Sequence, residues 1–173
     1  YIAQISPANG QVTGVRIPTP LNPCYSVSWD PDNELFWVSS VTTDIYGIDR
    51  DGNVVHHVDN GLRFRISGLA YFPDDVDGYK LYILNNDRDG AIRLMKCDYE
   101  SGDAIDVRVF EGIEGERAGG CTFTNELYPF TWAFMIQMQA AEDWLRIYEA
   151  SSDFFWTDVS PRSSFLYPDE TMT

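Results

Sequence analysis

The chain has 173 residues, 44% of them hydrophobic and 14% aromatic, enough for one domain with a real core and too apolar for a disordered chain. Lys and Arg number 12 against 27 Asp and Glu, a formal charge of −15. That balance argues against nucleic acid and anionic membrane surfaces, and no apolar run approaches the roughly 20 residues of a membrane helix, so no membrane insertion is expected.

The opening stretch YIAQISPANG shows no initiator Met or signal peptide and reads as the middle of a structural unit. A fragment, or a mature chain cut from a larger precursor, is expected. It predicts two strands near 1–5 and 11–17. The next unit predicts four, near 25–29, 35–39, 44–49 and 53–58. A second set lies near 67–71, 79–85, 91–97 and 104–110. A third lies near 119–123, 131–138 and 143–149, with a further strand in 153–159. Period-2 alternation in DAIDVRVF puts Ile105, Val107 and Val109 on one face. The stretch AAEDWLRIYEA (140–150) has spacing that also suits a helix, but the alignment of units reads it as a strand. Cys24, Cys97 and Cys121 match no zinc spacing; one disulfide is open, and small buried hydrophobes are expected.

The same turn is written three times, in ISPANGQV, IDRDGNVV and KCDYESGDAI, with glycines at 10, 52 and 102. Trp29, Tyr71 and Phe123 take equivalent places. So do Phe36-Trp37-Val38, Leu81-Tyr82-Ile83 and Trp132-Ala133-Phe134. Repeats of about 40 to 50 residues with four strands each are the pattern of β-propeller blades, which cannot bury both faces alone and must stack. The expected fold is therefore all-β, a partial β-propeller of about 3 to 3.5 four-stranded antiparallel blades in an incomplete ring. Residues 1–150 divide into a partial blade (1–20) and blades at about 21–60, 61–112 and 113–150, with 151–173 a linker or the start of another module. A β-sandwich with hairpins at similar spacing is the alternative. Trp29-Asp30 is not read as a WD40 signature, because it ends a first strand and lacks a matching His upstream.

The stretches SVSWDPDNELFWVSS with IYGIDRDGNVV (26–55) and GLAYFPDDVDGYKLYILNNDRDGAIRLMKCDYESGD (68–103) resemble NHL, YVTN and SMP-30-like propeller repeats of secreted bacterial proteins. The tail FFWTDVSPRSSFLYPDETMT (154–173) resembles the opening of a bacterial Ig-like module, carried by Trp156, Val159, Ser160, Pro161, Leu166, Pro168 and Glu170. Ser164 and Asp169 stand where such modules usually have glycine. The resemblance implies a non-catalytic propeller segment of a large secreted or cell-surface protein, used for binding or assembly. Its implied partners are the remainder of the propeller or copies of the chain itself, and an extracellular protein or glycan ligand. A fragment of a metal-dependent propeller hydrolase or lyase, and a self-assembling extracellular subunit, are the alternatives. Such shapes host many functions, so the resemblance assigns none.

Among polar clusters, NNDRDG is the most specific. Asn85, Asp87 and Asp89 before Gly90 give the alternating oxygens of a calcium loop, but Lys96 stands where the closing Glu of an EF-hand would be. An ordinary Asx-rich turn is the alternative. No other cofactor is expected. The turns DPDNE (30–34) and PDDVDG (73–78) sit at equivalent places, and their carboxylates are candidates for lining one rim, or are simply solvated. Glu114, Glu116 and Arg117 precede AGG without a motif. His56 and His57 are adjacent and point to opposite faces of a strand, so they do not chelate together. No catalytic residue is assigned.

Overall fold

The computed structural model describes residues 1–61, 64–86, 90–110, 116–128 and 131–150 in full, and the backbone of 157–158. Among these residues the chain is all β and contains no helix, hence none long and apolar enough to cross a membrane. The strands form antiparallel sheets in which sequence neighbours are spatial neighbours. The first sheet pairs β1 (Ile2–Ile5) with β2 (Val12–Ile17). The second holds β3 (Ser26–Asp30), β4 (Leu35–Ser39), β5 (Ile45–Ile48) and β6 (Val54–Val58). The third holds β7 (Ile66–Tyr71), β8 (Leu81–Asn86), β9 (Ile92–Cys97) and β10 (Ala104–Phe110). The fourth holds β11 (Arg117–Thr124), β12 (Trp132–Gln139), β13 (Trp144–Ala150) and β14 (Thr157–Asp158). The stretch open to a helical reading is thus the strand β13.

The three glycine turns join outer strands in successive sheets. In each, the first residue's N–H bonds across the turn: Ser6 to Gln11 O (2.8 Å), Asp49 to Asn53 O (3.0 Å) and Asp98 to Asp103 O (2.9 Å). Gly10, Gly52 and Gly102 then turn the chain at φ of 69°, 86° and 78°, a region open to glycine without steric cost. Gly52 has a second constraint, because a Cβ there would lie 2.7 Å from the Pro18 carbonyl oxygen.

The sheets lie face to face, and side-chain alternation shows it most clearly in β8. Leu81 and Ile83 join a core with Trp37, Ile45 and Val58 of the second sheet, while Tyr82 and Leu84 join one with Phe123, Phe134, Ile136 and Met138 of the fourth. A strand covered on both faces needs apolar residues at every position, which is why LYIL is continuous rather than alternating. A third, smaller core sets Ile2 and Ile17 of the first sheet against Val38 and Ile48 of the second. The strands that open each sheet adjoin: β7 touches β3 on one side and β11 on the other.

Strand register corrects two sequence readings. Trp29 pairs with Phe36, Tyr71 with Leu81 and Phe123 with Phe134, so Phe134-Met135-Ile136, not Trp132-Ala133-Phe134, occupies the third equivalent place. The shared face of Ile105, Val107 and Val109 is broken by a bulge between Asp106 and Arg108. The extra residue shifts the alternation by one, so Val107 packs inward while Ile105 and Val109 stay exposed.

The close approach of β7 and β11 rests on Gly68, next to a bulge between Ile66 and Gly68. A Cβ there would sit 2.8 Å from the backbone nitrogen of Cys121. Backbone cannot yield as a side-chain tip can, so Gly68→Ala must separate the two strands. A loss of about 1–3 kcal/mol is expected, the usual cost of overpacking, measured as a lower urea midpoint with an unchanged slope.

The three cysteines are free thiols. Burial pushes the Cys97 thiol up to about 11 and raises those of Cys24 and Cys121, so all three remain protonated at neutral pH, as small apolar groups.

Candidate functional site

A cleft of about 410 Å³ opens where three turns of two successive sheets meet. The β3–β4 turn contributes Asp32 and Asn33. The β7–β8 connection contributes Asp77, Tyr79 and Lys80, with Tyr71 at its base. The β9–β10 turn contributes Asp98, Tyr99 and Glu100. Of the carboxylates in the two equivalent acidic turns, Asp32 and Asp77 line this cleft, whereas Asp30 and Asp75 are buried.

Buried aspartates set the shape of the two connections. Asp30 Oδ1 accepts the N–H groups of Asp32 and Asn33 (both 3.0 Å), and its Oδ2 accepts the Trp37 indole N–H (3.1 Å) and the Asn33 amide (2.9 Å). Asp75 does the same work one sheet later. Its Oδ1 accepts the N–H groups of Asp77 (2.9 Å) and Tyr79 (3.2 Å), and its Oδ2 accepts the Tyr82 hydroxyl (2.6 Å) and Lys96 Nζ (3.3 Å). In both sheets the acid ties the turn to an aromatic residue seven positions on. Burying a carboxylate is tolerable only with this full set of donors. The β9–β10 turn is held by Asp98, whose Oδ1 accepts the Glu100 N–H (3.0 Å) and Oδ2 the Ser101 hydroxyl (2.7 Å).

The lining is cross-linked between sheets. Asp32 Oδ2 accepts Lys80 Nζ (2.5 Å) and the Tyr71 hydroxyl (3.0 Å). Asn33 donates its amide to the Tyr99 hydroxyl (3.0 Å). Lys96 Nζ reaches Asp77 Oδ2 (2.7 Å) and lies 5.7 Å over the Tyr79 ring. The Tyr99 ring leans on Trp37 (centroids 4.9 Å apart) and meets His56 edge-on (5.4 Å). His57 lies on the other face of β6, stacked on Tyr46 and 2.8 Å from Asp44, so the two histidines point apart as expected.

The Lys80 ammonium holds the Asp32 carboxyl below the ordinary aspartate value of 3.8, and Asp32 in turn raises Lys80. The Ser101 hydroxyl and turn N–H groups lower Asp98 as well. Burial, first, and the neighbouring aspartates keep the Tyr71 phenol protonated. Carboxyls depressed in the fold give stability that is present above the unfolded value and lost as pH falls through the folded one. Thermal midpoints are therefore expected to stay level down to about pH 4 and fall below it. Asp32→Asn is expected to make that acid decline shallower.

Of the calcium candidates, Asn85 is 2% exposed and its Oδ1 accepts the Arg65 N–H at 3.0 Å. Asp87, Asp89 and Glu114 lie outside the described residues, as does the tail 154–173, on which the resemblance to an Ig-like module rests, apart from the backbone of β14. Glu116 and Arg117 do not act together: Glu116 is buried against Arg146 at 3.1 Å, and Arg117 is exposed on β11. Among the described residues no group of three or more His, Cys, Asp or Glu stands in a metal-holding arrangement. The sequence marks Tyr71 only as a repeat position and does not single out Tyr79, Lys80 or Tyr99. The only signal was the Asp-to-aromatic spacing of seven in two units, which marks the turns but not the cleft.

No protein-family model matches the chain, and no curated protein does. Among solved structures the chain is similar to the tail fiber of Staphylococcus aureus phage P68, at 15% identity and a TM-score of 0.49. The alignment covers 70% of this chain and spans 27% of that one.

Proposed function

We propose that the chain is a segment of an open β-propeller that serves binding or assembly on an extracellular or cell-surface protein, with blades of the same build, from the rest of the ring or from further copies, as its partners. One observation supports this most: the second and third sheets each bury fully, against the next sheet, a residue whose counterpart in the fourth sheet is only partly buried. Trp37 and Tyr82 are fully buried there, at 0% exposure. Met135 holds the same register in β12 and is half-buried, with Ile147 opposite it and Leu145 exposed at 38%. A partly apolar sheet face in the position of an interior one suits a further blade.

Light scattering across concentration tests this reading. The isolated chain, 19.7 kDa, is expected to associate reversibly, and Met135→Glu to return it to monomer without loss of β-sheet circular dichroism. A strictly monomeric parent at every concentration contradicts it.

A further inference from the structure

We infer that the cleft between the second and third sheets receives a cationic side chain, arginine or lysine, from a basic peptide segment of a partner. This is a binding activity separate from blade-to-blade assembly. The chain itself displays the recognition chemistry there. Its own ammonium groups already sit on cleft carboxylates: Lys80 on Asp32 at 2.5 Å, and Lys96 on Asp77 at 2.7 Å with the Tyr79 ring 5.7 Å away. The lining side chains still carry an excess of negative charge, Asp32, Asp77, Asp98 and Glu100 against Lys80.

The aromatic wall is fixed in advance. Tyr99 is held by Trp37 and His56 through its ring and by Asn33 through its hydroxyl, so a cation can lie against it at little ordering cost. A guanidinium can further take two oxygens of one carboxylate in a fork, which a neutral polyol does not match in strength. The volume of about 410 Å³ falls in the range of small-ligand pockets, roughly 300–1,000 Å³, and is ample for one long side chain. The net charge of −15 draws basic segments toward the surface at long range.

Calorimetric titration of the whole chain with an acetylated, amidated tetra-arginine peptide tests the assignment. One-to-one binding is expected, weakening as salt rises. Glu100→Lys should weaken it at least tenfold, and Tyr99→Leu severalfold. Glu142→Lys makes the same charge change on an exposed residue in the β12–β13 connection, and should change affinity by less than twofold. The monomeric Met135→Glu chain should bind as the parent does, so the site stands or falls apart from assembly. Absent binding, or equal weakening by Glu100→Lys and Glu142→Lys, overturns the site. Binding of maltotetraose in place of the peptide also overturns it, in favour of a glycan.

Discussion

Asp75→Ala is expected to lower unfolding free energy by about 3–5 kcal/mol, the cost of removing one partner of a buried ion pair. The Asp75 side chain is fully buried and that of Lys96 is 4% exposed. Alanine leaves the Tyr82 hydroxyl and the N–H groups of Asp77 and Tyr79 without their acceptor. Each orphaned group costs about 1–3 kcal/mol. Lys96 keeps Asp77, whose side chain is 55% exposed, and this holds the total within the stated range. Lys96→Met is expected to cost less, because Asp75 would retain the Tyr82 hydroxyl and both turn N–H groups. Urea unfolding of the two variants gives the order directly. If Lys96→Met is the worse of the two, Asp75 is not the organising group of this turn.

Trp37→Ala is expected to cost a similar amount, about 3–5 kcal/mol, for a different reason: it opens a cavity between two sheets. Trp37 is fully buried at the centre of the core joining the second and third sheets, and it backs the Tyr99 ring. The site is matched from the other side as well. A Cβ on Gly47 would come within 3.1 Å of the indole, so the glycine makes room for the ring. Trp37→Phe separates the two contributions. It keeps most of the packing and removes the donor to Asp30, which is itself 0% exposed, so a loss of about 1–3 kcal/mol is expected. Chemical denaturation measures both, and the tetra-arginine titration should weaken in Trp37→Ala because Tyr99 loses its support.

The strands were legible because their ends carry chemistry. Gly10, Gly52 and Gly102 mark outer turns by backbone freedom, and Asp30 and Asp75 mark inner ones by side-chain hydrogen bonds. Where such marks change, the reading slipped. The β11–β12 connection lacks the buried aspartate of the earlier two, and the third unit was set two residues out, on Trp132 rather than Phe134. The bulge at Val107 was invisible for a related reason: one extra residue leaves an alternating pattern intact on paper while reversing faces in space. The cleft was only half legible. Asp32 and Asp77 follow from repeat position, but Tyr99 and Lys80 reach Asn33 and Asp32 only through the stacking of two sheets, which no spacing along one chain encodes.

That stacking is the claim on which the rest depends, and aromatic NOE contacts test it most directly. Rings on both sides of the third sheet should report their partners: Tyr82 with Phe123, at 4.9 Å between centroids across to the fourth sheet, and Tyr99 with Trp37, at 4.9 Å across to the second. Observation of both sets in one folded chain is the expected result. Cross-peaks on one side alone would mean a two-sheet sandwich, and the stack, the cleft and the open end would go with it.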